Sequence, residues 1–72
     1  MITPENLHEV MQYHAPDSIQ VSRFNNIREA AEHLALVILN EAPKCADQQA
    51  AIRKVREAMM TANAAIATNG VA

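Results

Sequence analysis

The sequence predicts an all-α fold, in which a short N-terminal helix precedes a long antiparallel helical hairpin that assembles into a compact homo-oligomer. Two alanine-rich stretches, Phe24 to Glu41 and Gln48 to Thr68, make up most of the 72 residues. One glycine and few β-branched runs argue against a sheet. A lone hairpin has no second layer against which to close a core, and a core this small rarely supplies more than a few kcal/mol. The surplus apolar surface therefore predicts self-association.

The first helix is predicted over about residues 4–12. Thr3 can accept hydrogen bonds from free amides at the start, and proline is tolerated in the first turn. The helix breaks before Pro16, because the residue preceding a proline disfavours helical backbone angles. Three apolar residues of this segment share one face: Leu7, Val10 and Met11.

The second helix is predicted over about residues 17–42, opened by Pro16 and Asp17 and ended by Pro43. Apolar residues at alternating spacings of three and four form a heptad-like stripe along it. They are Phe24, Ile27, Ala31, Leu34 and Ile38. Further apolar residues widen this stripe: Val21, Ala30, Ala35, Val37 and Leu39. A face this wide is expected where a second partner packs.

The third helix is predicted over about residues 47–68, with Asp47 as its N-cap, and the tail Asn69 to Ala72 is predicted to fray. Its stripe has the same spacing: Ile52, Val55, Met59, Ala62 and Ile66. Small residues flank it: Ala51, Ala58 and Ala65. The three helices are expected to form a single domain over residues 1–72.

Composition argues against several classes of function. Six cations against eight anions give a net charge of −2, so the sequence lacks the excess of basic residues expected of a protein that binds duplex DNA or RNA. The run Leu34 to Leu39 is too short to span a bilayer, and no signal peptide is visible after Met1. A soluble, intracellular protein is expected. Cys45 has no disulfide partner and is expected to be an exposed, reduced thiol.

Enzyme chemistry has little support in the sequence. No Ser-His-Asp arrangement and no isolated acid pair is evident, so neither catalytic residues nor a cofactor are predicted. The histidines have no metal-ligand spacing with one another or with Cys45, so no metal site is predicted: His8, His14 and His33. The simplest interpretation of two arginines is ion pairing at helical spacing, Arg28 with Glu32 and Arg53 with Glu57.

Arg28 has a second interpretation, because it lies at the edge of the stripe one turn after Phe24. If the chain reverses near residue 44, Arg28 faces roughly residues 60–63, which brings it near Thr61 and Asn63. With the ring of Tyr13, these groups suit a nucleotide: a stacking surface, a guanidinium for phosphate and small polar partners. Phe24 is included with them in the predicted ligand-binding set. Tyr13 could equally be an aromatic that anchors the hinge.

Arg53 and Arg56 form a second basic cluster at the loop end of the third helix. Such a cluster is usually a solvated face. Repeated around a symmetry axis, however, one arginine per subunit would form a ring able to hold an anion.

Four strings in this sequence resemble a known family. They are Tyr13-His14-Ala15-Pro16-Asp17, Ile27-Arg28-Glu29-Ala30-Ala31, Val55-Arg56-Glu57-Ala58-Met59-Met60 and Ala62-Asn63-Ala64-Ala65-Ile66-Ala67. The chain resembles, over roughly residues 13–69, the small phage proteins known as anti-CBASS cyclic-oligonucleotide sponges. Their helical-hairpin domain is shared with a sponge that opposes the Thoeris defence.

The resemblance implies a homohexamer that sequesters cyclic dinucleotides, such as cyclic GMP-AMP, without cleaving them, in the cytoplasm of the infected bacterial host. In such sponges a tyrosine stacks on a base and a basic residue contacts phosphate, in a site shared by two subunits. These roles fall on Tyr13 and on Arg28, where the family often has lysine. Some members also hold a cyclic trinucleotide through arginine on the last helix, which Arg53 or Arg56 could supply.

A second hypothesis from a different class remains open. The exposed alanine and methionine face, including Met59 and Met60, would also suit a helical adaptor that oligomerises and docks a host protein. The sequence leaves open which cyclic nucleotide is preferred and which host defence is countered.

Overall fold

The computed structural model describes residues 1–71 and is entirely helical in its regular elements. Helix α1 spans Leu7–Val10, α2 spans Ser18–Glu41 and α3 spans Ala46–Ala67. Among the helices of residues 1–71, only α2 and α3 contact each other, and they form the predicted hairpin. The described chain is elongated, with extents of 46 × 27 × 15 Å. None of its helices combines the length and apolar character that crossing a bilayer requires.

Helix α1 is shorter than the predicted span of 4–12, and the reason lies at its start. The Thr3 backbone N–H donates to Asn6 Oδ1 (2.8 Å), and the Asn6 N–H donates to Thr3 Oγ1 (3.3 Å). This reciprocal pair closes a turn over residues 4–6 instead of a helical turn. Because α1 packs on neither long helix, Met11 is 74% exposed.

Helix α2 begins one residue after the predicted start, with Asp17 as its N-cap. The Asp17 carboxylate accepts from the Gln20 N–H (2.8 Å), and the Gln20 side-chain Oε1 accepts from the Asp17 N–H (3.1 Å). This capping box satisfies amides that a helix start otherwise leaves free. The helix ends at Glu41 with Ala42 as its C-cap, one residue short of the predicted end at 42 and ahead of Pro43.

Helix α3 begins at Ala46, so the prediction that Asp47 caps it was wrong. Cys45 is the N-cap and makes no side-chain capping bond. Asp47 lies in the first turn, where a negative charge favours the positive end of the helix dipole.

The end of α3 is closed rather than frayed over residues 69–71, which corrects the prediction for the tail. Asn69 and Gly70 have positive φ angles of 52° and 80°. The Gly70 N–H donates to the Ala65 carbonyl (2.9 Å) and the Asn69 N–H to the Ile66 carbonyl (3.1 Å). This is the Schellman arrangement that caps helix carbonyls. Ala72 lies outside the described residues.

The predicted stripes meet in the hairpin with one exception. All five stripe residues of α3 are half-buried, as are four of the five on α2. Leu34 instead remains 50% exposed, because it lies at the edge of the packed face, and Ala35 occupies the inner position. The widening residues Val21, Val37 and Leu39 are exposed.

No apolar side chain is buried in the described chain; the two buried residues are Gln20, 8% exposed, and Gln48, 5% exposed. Gln20 Nε2 donates to the Ile66 carbonyl near the end of α3 (3.0 Å). Gln48 Nε2 donates to the Ala42 carbonyl (3.1 Å) and the Leu39 carbonyl (3.5 Å) at the end of α2. Each glutamine sits in the first turn of one helix and binds the last carbonyls of the other. We call these two contacts the glutamine clamps.

The chain exposes more surface than a compact protein of its size. Its accessible area is 5696 Å², whereas a 7.9-kDa monomer is expected to expose about 4,400 Å². The difference is about 1,300 Å², more than one partner contributes to a standard protein–protein interface. A single hairpin therefore leaves the surplus that the sequence predicted.

We predict that Gln48→Glu lowers the free energy of unfolding by about 1–3 kcal/mol, the usual cost of leaving a buried group unpaired. Glutamate keeps the shape of the side chain but turns its Nε2 donor into an oxygen that faces carbonyl oxygens. The measurement is urea unfolding at fixed protein concentration. Gln12→Glu is the matched control, because Gln12 is exposed. Equal stability of the two variants would show that the Gln48 clamp does not stabilise the hairpin.

Candidate nucleotide-binding groove

A groove runs between α2 and α3 on one face of the hairpin, with a volume of about 380 Å³. It is lined by Phe24, Arg28, Met60, Asn63, Ala64 and Ala67. We call it the arginine groove. The prediction that Arg28 faces residues 60–63 is confirmed, because the corner at Pro43 sets the antiparallel register. The structure thus brings three predicted site residues together: Phe24, Arg28 and Asn63.

The guanidinium of Arg28 is exposed and is not neutralised by its helical neighbours. Its Nη1 donates to Asn25 Oδ1 (3.1 Å). Neither the Arg28–Glu32 pair nor the Arg53–Glu57 pair forms an ion pair within residues 1–71. A guanidinium has five N–H donors, so Arg28 retains donors for an anionic ligand while Asn25 fixes its direction.

Asn63 carries the one unsatisfied buried side-chain oxygen or nitrogen in the described part of the chain. The residue is half-buried, and its Oδ1 has no hydrogen-bond partner. Such an oxygen costs about 1–3 kcal/mol when it is removed from water without a partner. In a groove that also contains Arg28 and Phe24, this oxygen can accept a hydrogen bond from a ligand.

Two predicted site residues lie outside the arginine groove. Tyr13 is in the extended segment between α1 and α2, and its side chain is 87% exposed. Thr61 is exposed on α3. The residues of α3 in the groove recur at helical spacings of three and four from Met60, and Thr61, rotated about 100° from Met60, is not among them.

The second predicted cluster lies beside the first. Arg53 and Arg56, with Glu57 and Met60, line a depression of about 180 Å³. Met60 also lines the arginine groove, so the two hollows adjoin. Arg28 and Arg56 further share a shallow hollow of about 170 Å³ over the helix contact. The three arginines therefore lie along one side of the hairpin.

An apolar groove of about 470 Å³, which we call the alanine groove, also lies between α2 and α3. Its lining contains one charged residue, Lys54, and is otherwise apolar: Ile27, Ala30, Ala31, Leu34, Val55, Ala58, Met59 and Ala62. Small side chains allow another helix to approach closely. This groove suits a protein surface better than a polar ligand.

Comparison with known families decides the identity. The sequence model of the Acb2/Tad1 hairpin domain matches residues 3–67, which include all three helices. The chain belongs to the Acb2/Tad1 hairpin-domain family. This is the family of anti-CBASS and anti-Thoeris sponges that the resemblance indicated, so that prediction is confirmed. Neither the curated proteins nor the solved structures contain a significant match to this Acb2/Tad1 hairpin.

Three residues that organise the site were not predicted from the sequence. Asn25 orients Arg28, and Gln20 and Gln48 clamp the helix ends. The Asp17-x-x-Gln20 spacing of a capping box signals Gln20. Nothing in the sequence marks Asn25 or Gln48, because their partners are set by side-chain direction and by the path of the corner.

Asn63→Leu is expected to leave the free energy of unfolding unchanged or to raise it by about 1 kcal/mol, because it removes an unsatisfied oxygen and keeps the volume. Thermal unfolding measures this. Asn26→Leu, an exposed change on α2, serves as control and should have little effect. A loss of more than about 1 kcal/mol specific to Asn63→Leu would mean that the oxygen has a partner in the assembled protein.

Proposed function

We propose that this protein is a sponge that binds cyclic dinucleotides such as cyclic GMP-AMP, sequesters them without cleavage and so blocks CBASS-type anti-phage defence. Membership of the sponge family supports a sponge-type anti-defence role. The proposal of a phosphate-containing ligand rests on the position of Arg28. This arginine has no ion-pair partner in the described chain and lies in a groove beside Phe24 and Asn63.

Each predicted site residue has a chemical group of the ligand as its partner in this proposal. Arg28 donates charge-assisted hydrogen bonds to a phosphate, which are about twice as strong as neutral ones. Tyr13 stacks on a base, an interaction worth about 1–3 kcal/mol per base. Asn63 lies in the groove as a polar partner. Cyclic trinucleotides are the second ligand class, with Arg53 and Arg56 as their contacts.

The site is completed between copies of the chain. Tyr13 of a single chain lies outside the arginine groove and projects into solvent, so a second copy supplies the ring that covers the ligand. A two-fold relation between copies presents two tyrosines and two arginines. A cyclic dinucleotide has two bases and two phosphates, which matches that number.

The assembly is a homohexamer that buries the alanine groove. The groove is apolar, and about 1,300 Å² of surplus surface is available for such contacts. Tight stoichiometric binding needs no acid–base pair, and the protein acts as a binder rather than an enzyme, in the cytoplasm of the infected host.

Titration of cyclic GMP-AMP by calorimetry tests the ligand site. Tyr13→Ala and Arg28→Ala are each expected to weaken binding by about 10–100-fold, the loss of one stacked base or one phosphate contact. Tyr13→Phe should retain most of the affinity because it keeps the ring, and Arg28→Lys should be intermediate because it loses the planar fork.

Arg23→Ala is the matched control, since Arg23 is an exposed arginine on α2 outside the grooves. Retention of full affinity in both alanine variants would reject the proposed site. The ligand should be recovered intact after denaturation, and recovery of hydrolysed nucleotide would contradict a sponge. No binding across a panel of cyclic dinucleotides and trinucleotides, with capture of a defined host protein, would favour the adaptor.

Light scattering tests the assembly and its interface. The wild type is expected at about 47 kDa, six copies of the 7.9-kDa chain. Leu34→Glu should reduce that mass, because it places a charge in the alanine groove at a position already half exposed in the hairpin. Leu36→Glu is the control, similarly exposed on α2 but outside that groove. A reduced mass in Leu36→Glu with an unchanged mass in Leu34→Glu would assign the interface to the other side of α2.

A further inference from the structure

The segment that carries Tyr13 is anchored on both sides. On the α1 side, the ring nitrogen Nε2 of His14, the residue after Tyr13, lies 2.9 Å from the Glu9 carbonyl, which ties the segment to α1. Downstream, Asp17 and Gln20 form the capping box that begins α2. The Tyr13 hydroxyl itself makes no hydrogen bond within residues 1–71, so the anchors of the segment, and not a bond of the ring, restrict where Tyr13 lies.

Gln20 connects the downstream anchor to the other helix. Its Oε1 accepts from the Asp17 N–H (3.1 Å), while its Nε2 donates to the Ile66 carbonyl (3.0 Å) and to Asn69 Oδ1 (3.3 Å). The side chain is almost fully buried, so water does not compete well for these bonds. The Tyr13 segment is therefore joined through one amide to the closed end of α3.

We propose that Gln20 is a positioning residue for Tyr13. By holding Asp17 against the end of α3, it keeps the tyrosine segment in one place relative to the arginine groove, whose last lining residue is Ala67. A ring held in place before binding loses less conformational freedom when the ligand arrives, and this increases affinity. The inference rests on the proposed function, in which Tyr13 stacks on a base.

Gln48 provides a matched control. It makes the corresponding clamp at the opposite end of the hairpin, next to the α2–α3 corner and not the tyrosine segment, although it bonds a carbonyl only six residues away. If Gln20 acted on stability alone, the loss of affinity in Gln20→Glu and in Gln48→Glu would follow the loss of stability in each variant. A positioning role separates them, because glutamate at position 20 keeps the capping acceptor but loses the donor to α3.

Tyr13 is the only tyrosine, and the chain has no tryptophan, so its intrinsic fluorescence reports one site. Time-resolved anisotropy of the full chain without ligand is expected to lose at least half of its slowly decaying component in Gln20→Glu. The same component should be unchanged in Gln48→Glu. With cyclic GMP-AMP as the probe, Gln20→Glu should bind about tenfold more weakly and Gln48→Glu within about twofold of wild type, well below the melting temperatures of both.

Asn69→Gly is a gentler variant for use if Gln20→Glu does not fold. Glycine accepts the positive φ at this position but removes the Oδ1 partner of Gln20. About a two- to threefold loss of affinity and a smaller loss of anisotropy are expected.

Equal anisotropy in Gln20→Glu and wild type, or equal losses in both glutamate variants, would overturn the proposal. If Gln20→Glu does not fold, unchanged anisotropy in Asn69→Gly would do the same. Failure of the wild type to bind any cyclic dinucleotide would refute the proposed function instead, and the anisotropy comparison would still decide whether Gln20 holds Tyr13.

Discussion

The structure depends on the satisfaction of helix-end carbonyls by two buried glutamines. Burial of apolar side chains cannot specify the hairpin alone, since none is buried within residues 1–71. Gln20 and Gln48 each donate from the first turn of one helix to the last carbonyls of the other. A buried side-chain amide can donate to its carbonyl partner at only one alignment of the two helices, whereas alanine surfaces can pack at several alignments. The clamps therefore hold α2 and α3 at the register that the corner at Pro43 sets.

The arginine groove follows from that alignment. With both ends of the hairpin held, Arg28 comes to lie across from Met60 and Asn63, and Phe24 lies one turn away. The contact with Asn25 then directs the guanidinium. The unsatisfied oxygen of Asn63 is a local cost to stability in the same groove, a pattern that is common where a protein receives a ligand. Fold and site are thus linked through the register.

Much of the fold could be predicted from the sequence, because its signals were local. Pro43 marked the end of α2, and the corner beside it predicted that Arg28 faces residues 60–63. The start of α1 could not be predicted, since the side chains of Thr3 and Asn6 bind each other's backbone and close a turn. Thr61 was misplaced relative to the groove because a rotation of 100° per residue moves a neighbour out of it.

In the homohexamer that we propose, folding would be linked to concentration, because a single chain buries no apolar side chain within residues 1–71. Where protomers complete one another's interior, stability follows mass action and cannot be separated from the amount of protein. If binding sites form between copies as proposed, the number of complete sites would rise more steeply than the number of chains synthesised. Early in expression most chains would lack complete binding sites. Binding capacity would then increase abruptly once the protein concentration is high enough for assembly. Dilution would reverse the change without any covalent signal.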